Sequence, residues 1–395
     1  MPAANQNDIN LLYQPQKQIY IRLYLMNRNF QTIEQLEGEV TEGSVTIDAN
    51  SDIRRVASFT FAVKNKNYAA DKNSNIWLDK YVDLQIGFYY NRGKQILWYP
   101  LGIYIFNENG FRYDSASRTV SCSCVDAMAY FTGLRAGTLR GQATVIPYGS
   151  VVANVVRDTV VQLGGVQNFV ITENSNPDYL TVPHDLEFGT GVTVYEILRK
   201  IADIYPAAEF YFDTANTFRW DYIPTATDDI VLYDDGILSP LVISESLNNS
   251  FGEVKNCIEV WGKDDISARL ILVDEMPEVP EPEYNYKVNP ESPYTVEKVG
   301  EIWEVKHGGE YAAIYSEQLA LDRCKYELFL STSAQDRLSL NLMLIPFMGV
   351  NEKISYTTKN DGRKNQYITK KINFNLTAGV MSLDCIRFTP LYSWL

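Results

Sequence analysis

The sequence predicts a mainly β chain in which a helix-containing α+β segment lies between two β-rich segments. Runs of alternating apolar and polar residues recur at hairpin spacing near both ends, whereas the helical period is clear only in the middle. Aromatic residues make up 13% of the chain, with 27 Tyr among them, and such side chains favour pleated, half-buried surfaces. At about 100–200 residues per domain, a chain of 395 residues should hold two to four domains.

Residues 15–130 predict a first β domain, either a small barrel or a sandwich. The stretch 42–61, EGSVTIDANSDIRRVASFTF, holds two alternating runs around a polar turn and predicts a two-stranded ribbon. The dipeptide Asn109-Gly110 predicts a type I′ hairpin turn in NENG, because both central residues of that turn need positive φ. The remaining strands are predicted at 19–25, 81–88, 101–106, 111–113 and 120–125.

Residues 131–240 predict an α+β domain with two helices and three strands. Ser150 is expected to cap the first helix, and Thr193 with Glu196 forms a capping box for the second. Gly164-Gly165 ends the first helix and Pro206 ends the second. The strands are FVIT, AEFYFD and TFRWDYIP. The buried faces should hold Val152, Val155, Val156, Val160 and Leu163 in the first helix, and Val194, Ile197, Leu198, Ile201 and Tyr205 in the second.

Residues 241–275 together with 332–395 predict a second β domain, interrupted by residues 276–331. Five of the 16 prolines lie between Pro277 and Pro293, which predicts an extended loop or an excursion out of the domain, and neither a regular helix nor a central strand. A helix is expected over 310–331. The strands are predicted at 241–246, 254–263, 269–276, 338–347, 351–358, 367–376 and 379–388, with a turn at Asp361-Gly362.

The composition excludes several classes of function. A formal net charge of −14 argues against specific binding to nucleic-acid phosphates. The N-terminus, MPAANQNDIN, lacks the basic and apolar regions of a signal peptide, and no window approaches the length of apolar sequence that spans a membrane. The cysteine count is odd and matches no zinc spacing, so buried free thiols made in a reducing cytoplasm are expected. These cysteines are Cys122, Cys124, Cys257, Cys324 and Cys385.

The chain offers little catalytic equipment. Its two histidines, His184 and His307, are predicted in loop or surface positions, and a Ser-His-Asp arrangement would need one of them. Neither HExxH nor GxxxxGK[ST] occurs, and QLGGVQ lacks the third glycine and the preceding strand of a dinucleotide site. The sequence therefore predicts no catalytic, cofactor-binding or metal-binding residue.

Two acidic patterns are interpreted as surface features. Asp71, Asn73 and Asn75 match the start of a calcium loop, but Ile76 and Val82 occupy the positions that need glycine and a bidentate glutamate, so a solvated loop is favoured. The pairs Asp228-Asp229 and Asp234-Asp235 could supply the two carboxylates of a glycosidase. No aromatic-lined cleft accompanies them in the sequence, so they are interpreted as surface charge.

Stretches over most of the chain, outside the first dozen residues and the proline-rich segment, resemble a known family. They are EGSVTIDANSDIRRVASFTF, IWLDKYVDLQIGF, WYPLGIYIFNE, TVSCSCVDAMAYFTG, LEFGTGVTVYEILRKIADIYPAAEFYFD, FRWDYIPT, FGEVKNCIEVWGK and YITKKINFNLTAGVMSLDCIRFTPLY. The chain resembles the baseplate or tail-tip hub proteins of tailed phages of Gram-positive and related hosts. The same plan recurs in the contractile-tail hub and the type VI secretion spike protein.

The resemblance implies a trimer at the tip of the tail tube. Each subunit would carry two similar, tube-like β-barrels, so that six barrels match the sixfold tube, and the α+β elements would thicken the ring. It implies a virion structural protein, not an enzyme, that assembles in the host cytoplasm and needs no cofactor. The implied partners are the other two subunits, the distal tail or tail-tube protein, the C-terminus of the tape-measure protein and a central spike or tip protein. DNA would pass through without specific binding, and no integral membrane association is implied.

Two other functions stay open on the sequence alone: a tail-associated peptidoglycan hydrolase and a host-carbohydrate-binding tail protein. The chain stops at Leu395, directly after the last predicted strand, where many such proteins continue into a lytic or host-binding region. Lytic activity is therefore not expected of this polypeptide. The Tyr and Trp content permits carbohydrate binding, which the resemblance does not favour.

The ribbon at residues 42–61 would belong to the first barrel, either in its wall or at an edge that pairs with a neighbour. Arg54 and Arg55 are adjacent in a strand and should face opposite ways. At least one of them is expected to face solvent or an interface, where it could pair with an acid. The equal alternative is that both are simply exposed at the end of the strand.

Overall fold

An open, twelve-stranded antiparallel sheet joins the two β-rich ends of the chain. In this computed structural model, 43% of the residues lie in strands and 19% in helices, which confirms a mainly β protein with α+β elements. The described strands do not close into separate barrels but form one continuous sheet. The structure describes residues 6–14, 17–36, 39–62, 76–141, 143–174, 180–204, 207–226, 229–249, 252–309, 311, 314–333 and 336–390.

The N-terminal part of this sheet has seven strands. Where the sequence alternates, burial alternates with it: the strand Arg55–Ala62 buries Ala57, Phe59 and Phe61 and turns the residues between them outward. The elements are α1 (Gln6–Leu12), β1 (Ile19–Met26), β2 (Thr32–Gln35), β3 (Glu39–Asp48), β4 (Arg55–Ala62), β5 (Tyr81–Tyr90), β6 (Gln95–Asp114) and β7 (Thr119–Val125). Along the sheet their order is β3-β4-β7-β6-β5-β1-β2.

The middle of the chain forms a separate α+β unit with its own apolar core, from Ala127 to Tyr222. Thr193 caps the longer helix as predicted: its backbone N–H donates to Glu196 Oε2 (2.6 Å), and Glu196 N–H donates to Thr193 Oγ1 (3.1 Å). The elements are β8 (Thr144–Ile146), α2 (Val152–Asp158, extended by a π-helical turn, Thr159–Leu163), β9 (Phe169–Ile171), β10 (Leu186–Phe188), α3 (Val194–Ile204), β11 (Ala208–Phe212), β12 (Phe218–Tyr222) and α4 (Asp235–Leu238).

The predicted cap of α2 is wrong. Ser150 lies one residue too early, and its hydroxyl donates to Pro147 O (2.7 Å) within a turn, so Val151 occupies the cap position with no side-chain hydrogen bond. The predicted buried face of α3 is confirmed at Val194, Ile197, Leu198 and Ile201. Tyr205 and Pro206 lie outside the described residues.

The C-terminal strands complete the sheet, in the order β13-β18-β21-β20, with β19 beside the first part of β20. Gly362 has φ +68° in the turn between β19 and β20, which is the turn predicted from Asp361-Gly362. The strands are β13 (Val242–Asn249), β18 (Asp336–Met343), β19 (Lys353–Thr357), β20 (Lys364–Asn375) and β21 (Val380–Arg387).

Residues 252–333 form a third unit, and this corrects the predicted second domain. The strands at 257–273 pair with one another and with their neighbours in a four-stranded sheet, not with the C-terminal strands. The proline-rich segment is not an excursion, because it supplies the edge strand β16, which is compatible with prolines on either side of it. The elements are β14 (Cys257–Trp261), β15 (Ser267–Val273), β16 (Asn285–Val288), α5 (Val296–Val299), β17 (Trp303–Lys306) and α6 (Glu317–Ser333).

Helix α6 covers the four-stranded sheet and begins later than predicted. The first turn is capped by Ser316, whose Oγ accepts a hydrogen bond from Leu319 N–H (3.2 Å), so the helix starts at Glu317 and not near residue 310. Its buried side chains pack against β14 and β15 in one apolar cluster. That cluster consists of Ile258, Val260, Ala268, Leu270, Leu272, Ala320, Cys324 and Leu328.

The predicted hairpin at NENG is also wrong. Strand β6 continues through NENG, and its four residues, 107–110, lie opposite the single residue Ser123 of β7. The segment is therefore a large bulge, in which the extra residues bend the strand without reversing it. The chain reverses later, at residues 115–118, where Asp114 Oδ1 accepts from Ala116 N–H (2.8 Å).

All five cysteines are buried free thiols, as predicted. Cys122 and Cys124 point into the same core from β7, which confirms that they share a face. Burial raises the pKa of Cys122, Cys257 and Cys324 to about 12, so these thiols stay protonated at neutral pH.

Two sets of five strands have the same topology; we call them the first repeat (β3 to β7) and the second repeat (β13 and β18 to β21). In both, the order along the sheet is first, second, fifth, fourth and third strand, and all neighbours are antiparallel. The fourth and fifth strands are joined by four residues in each repeat, 115–118 and 376–379. The first strand of each repeat bulges at the same place, at Thr41 and at Ile243. The two repeats therefore share one strand order and one connection length.

Strand β3 joins the repeats by pairing with β20, so the first strand of one repeat lies beside the fourth strand of the other. Val45 lies opposite Phe374, and both side chains are buried, at 0% and 1% exposure, in a core shared by the two repeats. On the other face of the sheet, Thr46 Oγ1 donates to Asn373 Oδ1 (2.8 Å). One pair of strands therefore makes a single apolar core out of two β units.

Replacing Phe374 by alanine should destabilise the protein by about 3–5 kcal/mol, because it leaves a cavity at the centre of this shared core. Chemical denaturation followed by tryptophan fluorescence would measure the loss. Tyr148→Ala is the matched control, since that aromatic side chain is 72% exposed and its removal should change stability by less than about 0.5 kcal/mol. Equal losses for the two variants would contradict the central role of the β3–β20 pair.

Candidate functional site at the ribbon junction

The ribbon of β3 and β4 meets the middle unit through two buried arginines. Arg54 and Arg55 are only 6% and 3% exposed, so the expectation of a solvent-facing arginine is wrong. Arg54 Nη2 lies 2.5 Å from Glu209 Oε2 on β11, and its guanidinium stacks over the Tyr211 ring at 4.1 Å. The expected pairing with an acid is therefore found inside the protein, where the ribbon rests on the middle unit.

Arg55 makes a second set of contacts between the ribbon and the middle unit, together with Asp126. The Arg55 guanidinium donates to the carbonyl oxygen of Phe212, and the Arg55 backbone N–H donates to Asp126 Oδ2 (2.9 Å). The second oxygen of Asp126 accepts from Met128 N–H (2.9 Å) and so caps the short 3₁₀ helix Ala127–Tyr130. Both arginine side chains thus find partners on β11, Arg54 at Glu209 and Arg55 at the carbonyl oxygen of Phe212.

The charged contact extends into the second repeat. Asn351 Nδ2 donates to the same Glu209 oxygen (2.5 Å), and Lys370 Nζ donates to Asn351 Oδ1 (2.8 Å). Lys370 is in the bulge of β20, and burial lowers its pKa to about 8. A chain of hydrogen bonds therefore links the turn before β4, strand β11, the loop before β19 and strand β20. We call the residues Arg54, Glu209, Asn351 and Lys370 the ribbon junction.

Two cavities flank the ribbon junction, with volumes of about 340 and 640 Å³. Both are lined by Arg54, Glu209 and Asn351, and the smaller one is closed by Tyr326 and Phe329 of α6. In the larger one, the Lys353 Nζ donates to the carbonyl oxygens of Ala226 and Asp229, each at 3.3 Å. The smaller cavity thus lies where all the units of the chain meet, and the larger one lies between the two repeats and the middle unit.

Beside the larger cavity, Glu352 is a partly buried acid with a raised pKa. Burial is the main cause that raises its pKa to about 7, and the nearby Glu209 acts in the same direction. The Gly349 N–H donates to Glu352 Oε2 (2.9 Å) and partly opposes this rise. A perturbed carboxyl group can indicate catalysis, but this one accepts a hydrogen bond from the backbone of its own turn and so serves a structural contact.

The other residues singled out in the sequence are scattered. His184 lies in a loop but is buried, with its ring 5.2 Å from that of Tyr315, and burial lowers its pKa. His307 is exposed in the loop after β17. Within the described ranges, no three His, Cys, Asp or Glu side chains gather as a metal site would require, and no helix is long and apolar enough to span a membrane.

The acidic pairs mostly organise turns. Asp229 Oδ2 accepts from Thr225 and Ala226 N–H groups, at 2.6 and 2.7 Å. Asp234 caps α4, and Asp235 Oδ1 accepts from Thr357 N–H (2.8 Å) of β19. Reading them as plain surface charge missed these roles, which the turn position of such acids could have suggested. Asp71, Asn73, Asn75 and Asp228 lie outside the described residues.

One family model and several solved structures are similar to this chain. Residues 291–392, about a quarter of the chain, match the family described as a domain of unknown function, DUF5048. No curated protein matches the sequence. The 43 kDa tail protein of prophage MuSo2 from Shewanella oneidensis is 11% identical, with a TM-score of 0.61 over 94% of this chain and 98% of that one.

Two further solved structures share this fold. The tail protein of Neisseria meningitidis MC58 is 9% identical, with a TM-score of 0.60 over 95% of this chain and 98% of that one. The prophage tail protein gp18 of Listeria monocytogenes EGD-e is 10% identical, with a TM-score of 0.53 over 92% and 94% of the two chains. The chain therefore has the fold of phage tail proteins along nearly its whole length, which confirms the resemblance found in the sequence.

Arg54→Ala should destabilise the protein by about 3–5 kcal/mol, because it leaves the buried Glu209 carboxylate without its cation. Thermal or chemical unfolding would measure the loss. Arg337→Ala is the matched control: Arg337 also lies 2.5 Å from a carboxylate, that of Glu253, but both side chains are half exposed, so a loss below about 1 kcal/mol is expected. Similar losses at both sites would show that the ribbon junction is no stronger than a surface pair.

Glu352 should make stability fall as the pH rises. Its pKa is about 7 in the folded protein and 4.5 ordinarily, so between these values the folded state holds a proton that the unfolded state has released. Stability that is present below pH 4.5 is therefore lost as the pH rises towards 7. Glu352→Gln removes the titrating group. The plot of unfolding free energy against pH should therefore fall less steeply between pH 4.5 and 7 for this variant than for the unmodified protein. A variant curve parallel to that of the unmodified protein would contradict the shifted pKa.

Proposed function

We propose that this chain is a structural subunit of a phage-type tail tip, where it forms a hub. The observation that carries this proposal is the fold likeness to the MuSo2 tail protein, which extends over 94% of this chain and 98% of that one. A likeness that includes both repeats and the inserted units is difficult to reconcile with a borrowed single domain. The role is structural, since the buried polar groups of the ribbon junction serve to hold the units together.

The two repeats support a trimeric hub. Three copies of a chain with two equivalent β units would present six such units around an axis, which is the number needed to continue a sixfold tube. The continuous sheet across β3 and β20 already holds two of the six side by side within one chain. In this role the chain would belong to the tail tip of the virion and assemble in the host cytoplasm.

A hub in this position has defined neighbours. On one side it would contact the distal tail or tail-tube protein, and on the other a central spike or tip protein, with the C-terminus of the tape-measure protein inside. A chain in the Francisella PdpA–VgrG complex shares the fold at 8% identity, with a TM-score of 0.53 over 97% of this chain and 60% of that one. That fold thus occurs in a complex with another protein, which supports a role in assembly.

The charge of the chain fits a channel for DNA. A basic channel wall would bind phosphates and release counterions, which would retard the passage of the duplex. A chain with 49 acidic and 35 basic residues can instead repel the duplex, over a screening distance of about 8–10 Å. We therefore propose that carboxylates outnumber Lys and Arg side chains on the surface that faces the axis of the trimer.

The purified chain or its tail complex should form a trimer of about 135 kDa, three times the 45.0 kDa of one chain. Native mass spectrometry over a range of concentrations measures the mass, and electron microscopy of the assembled particle gives the symmetry and the axial surface. A strict monomer within the assembled particle would rule out the hub. A trimer whose axial lining carries net positive charge would leave the hub standing and refute the acidic channel.

A further inference from the structure

The first strands of the two repeats occupy equivalent places, and so do the fourth strands. Within the chain, one first strand pairs with one fourth strand, and the other first and fourth strands do not pair with each other. The first strand of the first repeat, β3, pairs with the fourth strand of the second repeat, β20. The first strand of the second repeat, β13, is at the end of the sheet, and β18 is its one partner among the described strands. In the fourth strand of the first repeat, residues 111–114 pair with β7 along one edge, and no described strand lies along the other.

The equivalence of these edges extends to single residues. Because the fourth and fifth strands are joined by turns of equal length, Asp114 corresponds to Asn375, and Tyr113 to Phe374. Because the first strands bulge at the same place, Leu247 corresponds to Val45, and Ile243 to Thr41. The pair Val45–Phe374 inside the chain thus has as its counterpart the pair Leu247–Tyr113.

The counterpart residues are apolar, yet they are exposed in the single chain. Val45 and Phe374 are 0% and 1% exposed, whereas Leu247 and Tyr113 are 38% and 40% exposed. Strand β13 has one edge of eight residues beside which no other described strand lies, although the carbonyl oxygen of Val242 accepts a hydrogen bond from Lys359 Nζ. Proteins normally shorten or cover an edge of this length. Strand β13 and residues 111–114 of β6 therefore lack two things that the β3–β20 pair has. Each lacks a partner strand, and each leaves one large side chain, Leu247 or Tyr113, uncovered.

We infer that β13 of one copy of this chain pairs antiparallel with residues 111–114 of β6 of a neighbouring copy, in the register of the β3–β20 pair. The inference rests on the proposed hub and adds its interface. Leu247 then lies opposite Tyr113 of the neighbour, and Ser246 lies opposite its Asp114. The contact is head to tail, because each copy offers β13 on one side and β6 on the other. Such contacts close into a ring of three when the rotation from one copy to the next is a third of a turn.

The side chains on the other face of the sheet suit this register. Inside the chain, Thr46 donates a hydrogen bond to Asn373 across the β3–β20 pair. The corresponding residues are Asn248 and Arg112, both exposed in the single chain. The Arg112 guanidinium can donate to the Asn248 carboxamide oxygen, so a polar pair again lies behind the apolar one.

Engineered cysteines at the two inferred partners test the register. Tyr113→Cys and Leu247→Cys in one chain should form disulfides between copies on mild oxidation, because directly opposite residues have Cα atoms about 4.5–5.5 Å apart. Non-reducing electrophoresis should show linked dimers and trimers. The five native thiols are buried and do not compete. The control, Tyr113→Cys with Ile243→Cys, places the second thiol about 13 Å away along the strand, and it should stay unlinked.

A second pair of variants tests the interface without cysteines. Leu247→Lys should weaken self-association at least about tenfold, since it puts an unpaired charge into an apolar contact. Ile243→Lys should leave self-association unchanged, because its counterpart Thr41 stays exposed beside the internal junction. Native mass spectrometry gives both results, and both side chains are exposed in the single chain, so folding should be unaffected.

The results separate this inference from the proposed function. A trimer that forms without cross-linking through residues 113 and 247, or that tolerates Leu247→Lys, would overturn the strand pairing and leave the hub intact. A chain that stays monomeric at every concentration and within the assembled particle would overturn both. Cross-linking of the matched pair but not of the control, together with loss of assembly in Leu247→Lys alone, would support the pairing.

Discussion

The backbone hydrogen bonds between β3 and β20 are the contact on which the architecture depends. A sheet edge exposes donors and acceptors that must be paired, covered or protected from other chains. Here each five-strand repeat pairs with one edge of the other, and this pairing places Val45 and Phe374 in a common core. Stability and arrangement thus come from the same strand pair, because both repeats contribute side chains to that core.

The ribbon junction fixes what the strand pair leaves free. Apolar packing is tolerant of small rotations, whereas a carboxylate shared by Arg54 and Asn351 requires one placement of the middle unit against both repeats. Such buried charges add little net stability compared with an apolar contact of the same size. They select one arrangement of the units, because any other arrangement would leave a buried ion unpaired and so raise the free energy of the folded state. The ribbon of β3 and β4 therefore makes two contacts. Its edge strand β3 pairs with β20, and Arg54 in its turn binds Glu209 of the middle unit.

The sequence was informative where local signals decide the structure. Alternation located the longer strands, and the capping box at Thr193 located α3, because these features depend on near neighbours. It missed the short strands β2, β8, β10, β16 and β17. It failed where distant partners decide. Asn109-Gly110 has the composition of a hairpin turn, yet β7 holds the strand on both sides of it, so a bulge results. The burial of Arg54 depended on Glu209, 155 residues away, which no local pattern reveals. The assignment of residues 257–273 failed for the same reason, since a strand's own pattern does not say which sheet it joins.

The repeats differ most in how their first and second strands are connected. In the first repeat residues 49–54 suffice, whereas in the second repeat residues 250–335 intervene and include the four-stranded sheet with α6. In a closed ring of three chains, the strands would recur every sixth of a turn, but this inserted unit would recur only every third of a turn. One face of such a ring could then bind a partner of sixfold periodicity while the inserted units offered threefold positions to another. A gene duplication followed by one insertion would thus be enough to convert between two rotational symmetries within a single polypeptide.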